Sequence, residues 1–356
     1  MRRRDFVEGI GLAGVAGLAG CAGLVETRSI PSTPPVLEDR PDAVYFPTHV
    51  EGMEMAGMGE SGSGEYAFGL TYSYPHRFWN VNGGSVQLTE IESDDDVHLM
   101  ASVWDPETRT VLPEAGLSLE ITRDGELVSE EVIYPMLSQP MGFHYGANFG
   151  LDGDGTYTVT VSVGGVSTRK TGAFVDRFAD PASAGISFDY SQSIRDEIMF
   201  ENTPDRAGEA AAVDPMEMMM PNAVAPAEGD LPGEVLATGT SGDAVLVVGR
   251  LDAPPEGVDG DGEYLYVSAR TPYNRMVIPA MAVTGTLSRS GETVFEGDLA
   301  RTLDPDLGYH YGAALGDTAV ESGDDLALEV PTPPQVARHE GYETAFVDMA
   351  PVEVSL

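Results

Sequence analysis

One cysteine, one lysine and no long hydrophobic run mark this 356-residue chain. The lone cysteine, Cys21, excludes an internal disulfide, so the mature fold must rest on its own core. The Gly/Ala-rich apolar stretch from Gly9 to Gly20 has 12 residues, whereas a membrane-spanning helix needs about 20. Bases are scarce, 19 against 58 acids for a net charge of -39, and Lys170 is the only lysine. Such a chain has no basic patch to displace phosphate counterions, which excludes nucleic acid as a partner. Charge of this size can also mean disorder, but 42% hydrophobic residues in strand-like patterns oppose that. An acidic surface almost free of lysine fits concentrated salt, where repulsion is screened, and points to a halophilic archaeal source.

Enzyme signatures are missing too. No Gly-x-Ser-x-Gly elbow, P-loop, dinucleotide fingerprint or His-Glu-x-x-His occurs, so catalysis is not expected. Asp152-Gly153-Asp154-Gly155 and Asp259-Gly260-Asp261-Gly262 resemble pieces of a calcium loop but lack its other ligands, and read as turns.

What is present begins at the N-terminus. Arg2-Arg3-Arg4-Asp5-Phe6-Val7 fits a twin-arginine export signal, and Gly9 to Gly20 suits its apolar region. Leu18-Ala19-Gly20-Cys21 resembles a lipobox whose cysteine receives a lipid. Residues 1–21 therefore read as a lipoprotein signal and 22–43 as a flexible tether. The expected location is the outer face of the cytoplasmic membrane, anchored through Cys21.

Short alternating segments with regular turn signals follow, predicting strands near 66–73, 85–91, 97–104, 116–122, 127–134, 156–163 and 168–178. The pattern then recurs. A shift of 166 carries Pro106 to Pro272, Arg109 to Arg275, Gly125 to Gly291, and His144-Tyr145-Gly146-Ala147 to His310-Tyr311-Gly312-Ala313. Ala173-Phe174-Val175-Asp176 recurs at Ala345-Phe346-Val347-Asp348, offset by 172, so the second copy carries a six-residue insertion. The chain is expected to be all-β: two tandem immunoglobulin-like β-sandwich domains, 44–182 and 236–356, joined by an acidic Pro/Ala/Met-rich linker, 183–235.

Histidines and methionines carry the chemistry. Alternation in Val97-His98-Leu99-Met100-Ala101 puts Leu99 and Ala101 in the core and His98 and Met100 on the opposite face, about 6.6 Å apart. Tyr264 and Tyr266 replace that pair in the second copy. Met136, Met141 and His144 fall in one predicted loop. Two imidazoles with thioethers form a soft to borderline set that suits copper and can serve ferrous iron. Methionines filling the end of a sandwich, with His144 bonded inside its turn, fit the same pattern, and the residues alone leave both readings open. Met53, Met55 and Met58 precede the first repeat, and Met216, Met218, Met219 and Met220 lie in the linker. Flexible methionines can pass on Cu(I), although a tolerant linker explains the second group as well. Tyr74-Pro75-His76-Arg77-Phe78-Trp79 reads as a structural entry strand, with His76 a weak ligand candidate.

The stretch from His98 through Pro135-Met136 to His144-Tyr145-Gly146-Ala147-Asn148, closing with Gly155-Thr156-Tyr157, resembles the periplasmic ferrous-iron transport protein family. That resemblance covers roughly 95–165 and implies a small, usually dimeric immunoglobulin-like protein that binds copper or a similar divalent metal. It implies His98, Met136 and His144 as ligands. Met100 stands where the family has a ligand glutamate, which would favour a softer metal. The family's late histidine is missing from the first copy but is matched by His339 in the second, which also keeps His310. Two arrangements follow. The first repeat holds a self-contained site beside a degenerate copy, or the repeats form an intramolecular pseudo-dimer with His339 completing a shared site; a homodimer is an open alternative to the pseudo-dimer. The self-contained site is the preferred expectation. The function implied is binding of copper or Fe2+ and transfer to a membrane iron permease. The alternative is a structural or interaction module of the cell surface with no metal role.

Overall fold

The alternation in Gly155–Val163 becomes a nine-residue strand with Tyr157, Val159, Val161 and Val163 buried and the residues between them partly exposed. The same physics repeats through the all-β computed structural model, which describes residues 33–356. The twin-arginine segment and Cys21 lie outside the described residues. Among the described residues, no helix is long and apolar enough to cross a membrane.

In the first repeat, one sheet runs in the order Glu54–Glu60, Ala67–Ser73, Val97–Trp104, Gly142–Phe149, Tyr134–Ser138. Facing it are Ala182–Tyr190, Gly155–Val163, Leu117–Arg123 and Glu126–Val132. Leu99, Ala101 and Val103 from the first sheet meet Leu119, Ile121, Val159 and Ile186 from the second in one buried core. The second repeat uses the same parts in a single ladder. Its long strand Glu292–Asp304 pairs first with Ala282–Arg289 and then with Gly308–Ala314. Shifted by 166, that strand covers both Glu126–Val132 and Tyr134–Ser138, which the first repeat interrupts at Ile133. A hairpin, Phe78–Asn82 with Ser85–Thr89, is added at the edge of the first repeat's sheet.

Several boundaries differ from those expected. Ala182–Tyr190 pairs along its whole length with Gly155–Val163, so the first sandwich continues past residue 182. Of the strand expected at 168–178, only Arg169–Lys170 forms, followed by a 3-10 turn at Gly172–Phe174. The expected linker is packed: Phe200–Asn202 pairs with His49–Glu51, Met216 N donates to the Pro140 carbonyl (2.8 Å), and Met220 is buried. A Cβ at Gly69 would stand 2.6 Å from Met220 Sδ, so glycine there makes room for the methionine. Residues 33–43 of the expected tether belong to the same compact unit, with Arg40 paired to Glu343 (3.3 Å) and Thr344 Oγ1 donating to the Pro41 carbonyl (2.7 Å).

The repeats exchange short strands reciprocally. Ala337–Arg338 lies parallel to Met136 and Leu137, while Arg169–Lys170 lies parallel to Thr302 and Leu303. Thr302 and Leu303 are Met136 and Leu137 shifted by 166, so each repeat lends a strand to the same place in the other. This is the pattern of an isologous contact between two copies.

Candidate metal centre

The segment expected to be a loop is a hairpin. Tyr134–Ser138 pairs with Gly142–Phe149, and Met136 stands opposite His144 in register. Gly142–Phe149 pairs on its other side with Val97–Trp104, which carries His98. Every residue of Val97–Trp104 is buried. The face of His98 and Met100, expected to be free, is covered. His76 stacks on His98 with ring centroids 4.5 Å apart, and His339 from the second repeat meets His98 edge-on at 5.4 Å.

Ala337–Arg338 delivers His339 to this place, and His339 N donates to the Leu137 carbonyl (3.1 Å). Its ring lies 5.3 Å from His144 and 5.0 Å from His76. Ligand nitrogens of His76, His98 and His339 lie within 4.8 Å of one another. The self-contained site in the first repeat is therefore corrected. The extra residues of the second repeat reach across the exchanged strands and place His339 among the first repeat's histidines.

Hydrogen bonds fix which nitrogen of His144 and of His98 carries a lone pair. His144 Nδ1 lies 3.0 Å from the Gly142 carbonyl, which can only accept, so Nδ1 holds the proton and Nε2 the lone pair. Asn148 Nδ2 donates to the His76 carbonyl (2.8 Å), and Asn148 Oδ1 accepts from His76 N (3.1 Å). That orients the amide, so His98 Nδ1, 2.7 Å from Oδ1, is also the protonated nitrogen. Nε2 of His98, His144 and His339 are buried without a hydrogen-bond partner. Unpaired buried lone pairs are costly unless something accepts them. A Cβ at Gly146 would stand 2.7 Å from His98 Nε2 and 3.1 Å from Met136 Sδ, so the glycine leaves this ground open between imidazole and thioether. Three imidazole nitrogens and a thioether are the donors of a soft or borderline ion, and the residues fit a copper or ferrous centre.

Beyond His76 the surroundings become polar. His76 Nε2 lies 2.6 Å from Glu51 Oε1, close enough to pair though poorly aligned for a linear hydrogen bond. His49 lies 3.5 Å from Glu51 and 3.7 Å from Glu340, and Arg77 pairs with Glu340 at 2.9 Å. A cavity of about 80 Å³ borders this chain, lined by His49, His76, His339, Met53, Met100 and Met141 among others. Gln139 braces its wall, donating to the Tyr45 carbonyl (2.8 Å) and accepting from Val213 N (2.7 Å).

Electrostatics agree with neutral ligands. Burial pushes His144 down to about 4, and burial with the neighbouring His76 holds His98 and His339 well below the usual imidazole range. These rings are uncharged at neutral pH, the form that binds metal. Burial raises the Glu51 carboxyl, but His76 and His49 outweigh it and bring it down to about 2.

Of the residues singled out in the sequence, His98, Met136, His144 and His339 come together, and Met53, Met100 and Met141 line the adjoining cavity. Met55 packs against the core and Met58 is largely exposed on Glu54–Glu60; neither reaches the histidines as a ligand. His310 is also placed elsewhere. Its Nδ1 bonds the Gly308 carbonyl (3.0 Å) and its Nε2 meets the Tyr264 hydroxyl (3.0 Å), so both nitrogens are satisfied. The sequence offered His76 only as a weak ligand candidate and gave almost no sign of the places of His49, Glu51 and Glu340. The one signal was adjacency: Glu340 follows His339, and His49 and Glu51 alternate on a strand.

Two solved structures of FetP from uropathogenic Escherichia coli, one a copper-bound variant and one as isolated, are similar to part of this chain. They are 22% and 23% identical, cover 39% of this chain and 97% of their own, and have TM-scores of 0.30. The copper-reconstituted P19 protein from Campylobacter jejuni is 19% identical, covers 39% of this chain and 96% of its own, and has a TM-score of 0.29. No curated protein matches the chain. The family described as Domain of unknown function (DUF7350) matches residues 80–176 and 229–355, well over half of the sequence, and the protein belongs to that family.

Proposed function

We propose that this protein binds copper or ferrous iron at a centre shared by its two repeats, and that it carries the ion rather than catalysing a reaction. The observation behind this reading is the gathering of His76, His98 and His339, whose ligand nitrogens lie within 4.8 Å of one another, beside the Met136 thioether and the neighbouring His144, with Nε2 of His98, His144 and His339 buried and unpartnered. Hydrophobic packing alone would not gather four imidazoles and leave three buried ring nitrogens unpaired, since each such group costs on the order of 1–3 kcal/mol. The donor set, with Met100 in the adjoining cavity wall, favours a soft ion, and Cu(I) heads the candidates.

The reciprocal strand exchange supports reading the two repeats as an intramolecular counterpart of a dimer. With the lipobox at Cys21, the proposal places the centre outside the cytoplasm, anchored by lipid, where it receives metal and passes it to a membrane iron permease. Membership in the periplasmic ferrous-iron transport group is part of the same proposal. It draws on the His98, Met136 and His144-Tyr145-Gly146-Ala147-Asn148 pattern.

Anaerobic titration of the mature protein with Cu(I) and with Fe(II) tests it. One equivalent is expected, lost in His98→Ala and in His339→Ala, with both variants still folded by circular dichroism. If neither metal binds, or if His339→Ala binds as the parent does, the shared centre is wrong.

A further inference from the structure

Position by position, the second repeat holds a counterpart of the metal centre. A shift of 166 takes His98 to Tyr264, Met136 to Thr302, His144 to His310 and Gly146 to Gly312. The exchanged strands are counterparts as well: Ala337–Arg338 lies on Met136 and Leu137, and Arg169–Lys170 lies on Thr302 and Leu303. In the second place the donors are not left unpaired. Arg169 Nη2 lies 2.9 Å from the Tyr264 hydroxyl, 2.6 Å from Thr302 Oγ1 and 2.7 Å from the Gly312 carbonyl, and Arg169 Nε donates to Thr302 Oγ1 (2.9 Å). The Tyr264 hydroxyl in turn donates to His310 Nε2 (3.0 Å), and the Arg169 guanidinium sits 5.8 Å from the Tyr264 ring centroid.

We propose that Arg169 is a tethered cation occupying the second repeat's counterpart of the metal centre, so that this place is a guanidinium site filled from within the chain and closed to metal ions. The three groups that receive Nη2 are the counterparts of His98, Met136 and Gly146. The fourth, His310, is reached through Tyr264. Acceptor for acceptor, one planar guanidinium satisfies what an ion would satisfy in the first repeat. A cation fixed by its own backbone cannot be exchanged, and its positive charge repels any metal that approaches. Because the exchanged strand belongs to the first repeat and its acceptors to the second, the same contact also pins the two repeats together.

The comparison with an ion rests on the metal-binding reading, whereas the guanidinium contacts do not, and the experiment keeps these apart. Arg169→Ala should lower Tm by several degrees, and millimolar methylguanidinium should restore most of that loss while tetramethylammonium, which has no N–H donors, should not. Arg169→Lys keeps the charge without the fork and should fall between the parent and Arg169→Ala. Equal effects of the two salts on Arg169→Ala would overturn the guanidinium site. In the second arm, the variant Arg169→Ala/Tyr264→His/Thr302→Met is titrated with Cu(I) beside the parent chain. A rise from one bound equivalent to two supports the proposal. One equivalent in both, with the variant folded, overturns the claim that Arg169 closes the site. No binding by the parent overturns the metal-centre reading instead, and leaves the methylguanidinium arm to decide the guanidinium site.

Discussion

His144 and His310 make the same hydrogen bond, each Nδ1 lying 3.0 Å from the carbonyl two residues earlier, Gly142 and Gly308. They differ only at the other nitrogen, which is unpartnered in His144 and bonded to the Tyr264 hydroxyl in His310. One duplicated backbone therefore presents two identical rings to different surroundings. His144→Ala is expected to weaken metal binding by roughly 100-fold or more, because a ligand should matter at least as much as its outer-shell partners. His310→Ala should leave affinity within about threefold of the parent, a difference of about 0.6 kcal/mol, while lowering stability. Competition titrations against a Cu(I) chelator decide this, and equal losses in both variants would contradict the assignment.

In the proposed centre, Asn148 holds His98 in place through its other ring nitrogen. Its amide holds His98 Nδ1 on one side and the backbone of His76 on the other. Asn148→Ala should cost about 10–100-fold in metal affinity, the range usual for partners that orient a ligating imidazole. Unchanged affinity with a folded protein would show that His98 is held by packing alone.

Met136 is fully buried and paired in register with His144, so Met136→Leu preserves volume and should cost less than about 1.5 kcal/mol in stability. If its sulfur is a ligand, Cu(I) affinity should fall much more than Fe(II) affinity, since thioethers favour the softer ion. Parallel losses for both metals would remove Met136 from the ligand set.

His310 gives the pH prediction. Burial lowers it to about 4, so in the folded chain it stays neutral where an unfolded histidine, near 6.5, takes up a proton. Its stabilising contribution is complete above about 6.5 and is lost as pH falls from there toward 4, by roughly 3 kcal/mol across the window. In metal-free protein, His310→Leu should be less stable at neutral pH, because Tyr264 loses its acceptor, and its stability should decline less steeply between those limits. Denaturant midpoints measured across the pH series provide the check. Identical slopes for parent and variant would show that His310 titrates normally.

The duplication was legible because the two copies keep turns, prolines and His-Tyr-Gly-Ala at one offset, and six of the seven predicted strands lie where alternation placed them. The hairpin carrying Met136 and His144 was not. Pro135, Pro140 and Gly142 punctuate it like a loop, yet Pro135 sits near the strand's start, and Gly142 takes a positive φ of 70° at the turn. That His98, Met136 and His144 lie near one another followed from their motif. The placement of His339 did not, because two residues of exchanged strand carry no periodic signal to say which repeat they join. His76 stood out only weakly for a similar reason: an isolated histidine in an irregular segment acquires meaning only when the sheet beside it is known.

The reciprocal strands between Met136 and Ala337, and between Thr302 and Arg169, join parts of one polypeptide. Had the two halves been separate molecules, bringing His339 to His98 would depend on how much protein was present, and the centre would fall apart on dilution. Covalent linkage turns that encounter into an intramolecular one with a fixed effective concentration. The group of histidines is then assembled at any abundance of the protein. It also frees the halves from having to be alike, because a change in one is no longer imposed on the other.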